Sequence, residues 1–253
     1  MSGILTRRAL LRGGAAGLGG LALSGCDMLN VNGGFRSLLT SAEDLHRASQ
    51  RALGGNALAR EYAPSDMSPV FRANGSREVA DAGYKRLLAN GFAGWNLRVD
   101  GLVGRPLSLS LPALMAMPQR SQITRHDCVE GWSAIGQWRG PQLTRVLEMA
   151  RLSERARYLV FHCADTLGGA TYYESIDLAD AFHPQTILAW EMNGEMLPEA
   201  HGAPIRLRVE RQLGYKHAKY VMRIEVRESL AGLYGGKGGY WEDRSDYAWY
   251  AGI

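Results

Sequence analysis

The sequence predicts a mixed α/β domain in which strands outnumber helices. Three features carry this: apolar and polar residues alternate with period two from about residue 95, turn dipeptides punctuate that alternation, and helical spacing is confined to short runs. Trp95, Leu97 and Val99 alternate with polar residues before Asp100-Gly101. Leu107, Leu109 and Leu111 alternate after Pro106, and a short helix over residues 111–117 follows. Residues 157–163 read as a strand ahead of Gly168-Gly169. Residues 172–176 and 187–192 read as two more, the second closed by Asn193-Gly194, a favoured tight-turn dipeptide. Tyr220, Met222, Ile224 and Val226 alternate with Val221, Arg223, Glu225 and Arg227, the pattern of a half-buried strand. The clearest helices are short, over residues 142–150 and 178–182, and no internal repeat or second domain is visible.

The first 25 residues have a different character. Thr6-Arg7-Arg8-Ala9-Leu10-Leu11, followed by a weakly apolar Gly/Ala-rich run to Leu23, has the charged start and short apolar core of an export signal, too short for a durable membrane span. The paired arginines resemble a twin-arginine signal, a route that carries folded proteins. Leu23-Ser24-Gly25-Cys26 resembles a lipobox, which predicts a lipid on Cys26, and Asp27 resembles a signal for retention at the inner membrane. The expected location is therefore periplasmic, anchored to the inner membrane. Without residues 1–25 the chain holds 26 basic and 25 acidic residues, so its high isoelectric point comes largely from the signal and leaves no footprint for nucleic acid. Residues 26–61 read as a tether, 62–232 as the domain, and 233–253 as a Gly- and aromatic-rich tail packed on it behind a flexible glycine hinge. A redox partner docking on the tail aromatics is the alternative reading. The domain's cysteines, Cys128 and Cys163, would be able to pair in an oxidising compartment, which sequence leaves open.

Cys128 is the most informative residue. It sits in Arg125-His126-Asp127-Cys128-Val129-Glu130-Gly131-Trp132, followed by Trp138, Gly140 and an amphipathic leucine-rich turn. A thiolate is a strong ligand for a soft or high-valent metal, and Arg125 and His126 are expected to supply positive charge that favours it. A buried structural cysteine would not call for these charged neighbours or for Glu130-Gly131 just beyond. Zinc held by His126, Cys128, His162 and Cys163 fits poorly, because adjacent strand residues face opposite ways and the spacings are not those of zinc sites. A cysteine hydrolase lacks a local nucleophile signature.

The Cys-Val-Glu-Gly-Trp segment, the Trp-x-Gly after it and the leucine-rich helix resemble the cofactor segment of the sulfite oxidase family of molybdopterin enzymes. The resemblance covers roughly residues 70–228 and implies that family's mixed α/β fold, without the C-terminal immunoglobulin-like dimerisation domain of sulfite oxidases proper. It implies a molybdenum–molybdopterin cofactor with Cys128 as the metal ligand and Glu130 close enough to move protons or orient a substrate. Asn74, Arg77 and Glu78 match the spacing of an early pterin-contacting loop. Gly202-Ala203-Pro204-Ile205-Arg206 and Leu213-Gly214-Tyr215-Lys216-His217-Ala218-Lys219 resemble the segments that hold the cofactor's anionic end. By that match Arg206 and Lys219 bind the phosphate, the backbone at His217 and Ala218 donates, and His183 lies near the pterin. His201 and Cys163 depart from the family pattern, standing where the catalytic subunits of periplasmic methionine-sulfoxide reductases have asparagine and threonine.

The implied activity is transfer of an oxygen atom to or from a small-molecule substrate, with reduction of an S-oxide preferred. No arginine-lined sulfite pocket is recognisable, so sulfite oxidation with a cytochrome acceptor is the alternative, and a non-catalytic scaffold the second. The chain carries no haem, flavin or iron–sulfur motif. Electrons are thus expected from a membrane-bound haem protein or cytochrome.

Overall fold

Alternating residues pair into a five-stranded sheet, and a second, more polar sheet stands beside it. The computed structural model describes residues 33–253; the signals read at Arg7, Arg8 and Cys26 lie outside them. Two compact units divide the chain between Gly55 and Asn56. The described part of the first is one helix, α1 (Gly33–Gly54), within the stretch read as a tether. Among the described residues no helix is long and apolar enough to cross a membrane.

The second unit starts at Asn56, ahead of the expected boundary at Tyr62. Gln185 explains the difference: its side-chain oxygen accepts the Ala59 N–H at 2.7 Å, and its amide donates to the Ala59 carbonyl at 2.9 Å. Glu61 bridges to Thr124 as a short extra strand contact.

The large sheet has the order β2 (Leu107–Ser110), β1 (Asn96–Gly101), β11 (Val221–Arg227), β5 (Tyr158–Leu167), β6 (Ala170–Asp177). Only β1 and β11 pair parallel. Helices α2 (Ala82–Ala89), α3 (Leu111–Ala116), α4 (Leu143–Ala150) and α5 (Leu178–Ala181) accompany it. Ser110 caps α3 by accepting the Ala113 N–H, and Asp81 caps α2 by accepting that of Tyr84. Leu97, Val99, Leu143, Val146, Phe161, Ile176 and Ile224 fill the main core. In β11 the expected alternation is broken by a register shift between Val221 and Arg223, which buries Val221 fully and leaves Met222 at the core's edge.

The second sheet runs β3 (Gln119–Asp127), β4 (Ser133–Pro141), β8 (Glu191–Met192), β9 (Glu195–Met196). The single strand expected over 187–192 is split: Ile187–Ala189 (β7) pairs with β10 (Arg206–Arg208), and β8 passes to the second sheet. Gly140 makes the close crossing possible, because a Cβ there would stand 2.0 Å from the Leu188 carbonyl oxygen. The crossing brings Arg206 and Arg208 behind the β3–β4 hairpin.

The segment after residue 232 packs back on the domain. Gly235, Gly238 and Gly239 are close-packed: a Cβ on Gly239 would meet the Glu242 carboxylate at 2.0 Å, and one on Gly238 would meet the Trp249 ring at 2.6 Å. Tyr240–Ser245 forms α6, with Tyr240 and Glu242 buried. Three buried groups hold this segment: Lys216 donates to Glu242 at 2.7 Å and also to Glu174 on β6, and all three side chains are almost fully sequestered.

Candidate functional site

Strands β3 and β4 pair through Asp127 and Ser133, which leaves residues 128–132 as the hairpin loop. The Cys128 N–H donates to the Trp132 carbonyl at 2.9 Å and the Gly131 N–H to the Cys128 carbonyl at 3.0 Å. Gly131 has φ +84°, in the left-handed region that favours glycine. The loop presents Cys128 half-buried, and the Asn74 amide donates to its sulfur at 3.4 Å. Glu130, two residues on, is exposed at the rim and accepts the Trp132 indole N–H at 3.2 Å.

Cys128 and Glu130 line a cleft of about 910 Å³, its open mouth included, whose wall also contains Asn74, His201, Arg206 and Lys219. The Arg206 guanidinium donates to the carbonyls of His201 at 3.1 Å and His217 at 3.4 Å. Lys219 donates to the carbonyls of Asn74 at 2.8 Å, Ala200 at 3.1 Å and Ser76. Burial and then the Arg208 charge pull Arg206 down to about 9; burial and then Arg206 pull Lys219 down to about 7. His201 is pulled to about 4 by burial and the same two cations, so it is neutral at pH 7.

Behind this wall Trp138 is fully buried, with the guanidinium groups of Arg206 4.9 Å and Arg208 4.3 Å from its ring centres. Arg208 is neutralised by Glu210 and donates to His126 Nδ1 at 3.0 Å. Burial and then Arg208 hold His126 well below the usual histidine range. The expectation that His126 lends positive charge to the neighbouring thiol is therefore corrected: it is a neutral ring. Arg125 is turned away too, exposed and paired with Asp127 at 2.9 Å. Gly214 accommodates the His126 ring, since a Cβ there would lie 2.4 Å from Nε2.

Of the residues singled out in the sequence, Cys128, Glu130, Asn74, His201, Arg206, His217 and Lys219 meet in the cleft wall. The other five stand elsewhere. Arg77 and Glu78 are exposed beyond the Asn74 turn. His183 is buried beneath residue 57, its Nε2 bonded to the Ala57 carbonyl at 3.1 Å. Cys163 is packed in the main core, where burial raises its thiol well above the ordinary value. Ala218 is fully buried, and the backbone donors expected at 217 and 218 are spent in the local turn on the Gly214 and Lys216 carbonyls. Cys128 and Cys163 are both free thiols. Asp165 and Tyr172, which sequence reasoning missed, also line the cleft, with Trp132 of the Cys128 segment and the tail aromatics Trp241 and Tyr247.

The arrangement suits a bound anion rich in hydrogen-bonding groups. Arg206 and Lys219 form no ion pair among the described residues, and Arg206 Nε and His217 Nδ1 are buried without a hydrogen-bond partner. Buried cations left with carbonyl partners alone are costly unless an anion joins them. A molybdopterin phosphate, with the pterin's donors and acceptors along the wall, fits that need, and the Cys128 sulfur is the soft donor for a metal.

Comparison with known proteins identifies the family. The family described as oxidoreductase molybdopterin binding domain matches residues 87–232, and the chain belongs to it: it is a molybdopterin-binding oxidoreductase of the sulfite oxidase family. A protein of Azospira oryzae with the provisional name protein-methionine-sulfoxide reductase subunit YedZ1 is 37% identical over 250 residues, covering 97% of this chain and 87% of its own length. The crystal structure of the sulfane dehydrogenase SoxCD from Paracoccus pantotrophus matches with a TM-score of 0.50 at 20% identity. That match covers 69% of this chain and 46% of the SoxCD chain, and at this identity the likeness is one of fold.

Lys219 makes the anion site pH-dependent. Its folded value lies near 7, below the ordinary lysine value of 10.5, so charging it opposes folding of the cofactor-free protein as pH falls through 7. An anion beside it reverses that sign. Added pyrophosphate is expected to raise the melting temperature of cofactor-free protein at pH 6 much more than at pH 9, and Lys219→Met to abolish the difference. Equal shifts at both pH values would remove Lys219 from the anion site.

Proposed function

We propose that this oxidoreductase is a molybdenum enzyme that reduces the S-oxide of a small molecule, working in the periplasm from a lipid anchor on Cys26. The observation that carries the reading is the half-buried Cys128 thiol at the mouth of a cleft walled by Arg206 and Lys219, cations with no carboxylate within ion-pair distance among the described residues. The name of the Azospira relative supports reduction as the direction.

Arg206 and Lys219 would hold the phosphate end of the cofactor, and Cys128 would bind the metal with Asn74 steadying its sulfur. When bound, the cofactor supplies the two-electron change that cleaves the S–O bond. Overall, a sulfoxide, two protons and two electrons give a sulfide and water. The chain's own part is to orient the substrate and supply protons, for which Glu130 is suitably placed at the rim, its carboxylate oriented by the Trp132 indole. Electrons would come from a membrane-bound haem protein or cytochrome. A lipid on Cys26 and the segment that follows it would keep the domain at high effective concentration near such a partner.

Screening the molybdenum-loaded protein with sulfoxides and N-oxides under reduced viologen, and with sulfite and cytochrome c, tests the reaction. Turnover of sulfoxides is expected; fast sulfite oxidation with no sulfoxide turnover would reverse the direction. For the anchor, Cys26→Ala should move the protein from the membrane to the soluble periplasmic fraction. Unchanged fractionation would rule the lipid out.

A further inference from the structure

The cleft has two unlike halves. One is cationic and polar, built from Arg206, Lys219, His201 and Asn74, which are knitted together by the contacts described above. The other is aromatic, and much of it comes from the segment after residue 232, outside the family match. Trp241 on α6 and Tyr247 just beyond it both line the cleft, stacked with ring centres 5.7 Å apart and planes 21° apart. Tyr215 meets Tyr247 edge-on at 5.1 Å, and Val129 and Leu167 are further apolar members of the wall.

This aromatic half is rigidly mounted. Tyr240, next to Trp241, stacks on Tyr172 at 5.4 Å and donates to the Leu167 carbonyl at 2.7 Å. Tyr215 donates to the Ala248 carbonyl at 2.6 Å, one residue past Tyr247. Trp249 donates to Ser175 at 2.8 Å, and the buried Lys216–Glu242 contact fixes α6 from below. The two rings are thus locked at both flanks, yet each stays half-exposed to the cleft. Preorganised aromatic surface of this kind loses little entropy on binding and favours apolar, polarisable groups, thioether sulfur included.

We propose that Trp241 and Tyr247 form the specificity wall of the active site, receiving the bulky apolar substituent of a thioether S-oxide while its oxygen points toward the Cys128 side. The proposal rests on the S-oxide reading above. It makes both residues substrate-recognition groups.

The test is equilibrium binding to the holoenzyme by calorimetry, with methyl phenyl sulfoxide and dimethyl sulfoxide as probes, alongside reduced-viologen turnover of each. Wild-type protein should bind the aryl sulfoxide at least about tenfold more tightly. Trp241→Leu and Tyr247→Leu should each cut that preference severalfold, with more effect on KM than on kcat. Tyr234→Leu is the control: that ring belongs to the same segment but lies against Tyr173 and His162, outside the cleft wall, and its loss should leave the preference intact. Should one leucine variant fail to fold, the other carries the test. No preference in wild type, its retention in both cleft variants, or its equal loss in Tyr234→Leu would overturn the proposal. Binding that depends on Trp241 and Tyr247 without turnover of either sulfoxide would instead sink S-oxide reduction and leave the wall standing.

Discussion

Cys128→Ser is expected to yield a folded, cofactor-containing protein with turnover lowered by about three powers of ten, on the order of 4 kcal/mol in the barrier. The exchange is nearly isosteric at a half-buried loop position whose backbone bonds to Trp132 and Gly131 do not involve the side chain, so stability should change by less than about 0.5 kcal/mol. The chemistry changes more. Serine offers a hard oxygen donor in place of a soft, strongly donating sulfur, and the thiolate-to-molybdenum absorption should vanish with it. Because Arg206 and Lys219 are untouched, pterin extracted from the variant should match wild type. Wild-type spectra and rates in this variant would remove Cys128 as the ligand.

Lys216→Met should produce the largest loss of stability. The substitution keeps side-chain bulk but leaves the carboxylates of Glu174 and Glu242 facing each other with side-chain exposure of 0% and 1%. Breaking such a pair by removing one partner costs about 3–5 kcal/mol, which for a unit of this size lowers the melting temperature by roughly 6–20 °C. The sign of the pH effect follows from Glu174, which burial and then the Glu242 charge raise well above the ordinary carboxyl range, against the lowering influence of Lys216. A carboxyl raised in the folded state binds its proton more tightly there, so the associated stability is present at low pH and lost as pH rises through the folded value. Removing Lys216 raises Glu174 further. The deficit should therefore be smaller near pH 5 than near pH 8, and adding Glu242→Gln to the variant should recover part of it. A deficit that is equal at both pH values would mean lost packing, not unpaired charge, dominates.

Much of the large sheet was legible because β1, β2, β5, β6 and β11 carry apolar residues toward one core. The β3–β4 hairpin was not delineated, and the reason is physical. On β3 the buried residues are Gln122, Thr124 and His126, which face Glu210, Arg208 and Gln185; a strand with a polar inner face has no hydrophobic alternation to detect. Cys128, Arg206 and Lys219 were found through local motifs. The neutrality of His126 was not, since it depends on burial and on an arginine 82 residues away. Trp241 and Tyr247 were visible only as tail aromatics: their place in the cleft depends on α6 being held through Glu242 on Lys216, a contact across 26 residues that no local pattern announces.

Arg206 and Lys219, which form no ion pair among the described residues, also bear on the fate of the chain in a cell. A cofactor that binds only the folded state adds RT ln(1 + [L]/Kd) to its stability, and here it would also relieve two buried charges. Empty and loaded chains would then differ sharply in how often they open, and proteases sample the open form. Protein abundance would then follow cofactor supply with no change in transcription, because the two cations proposed to hold the cofactor would also mark the chains that never received it.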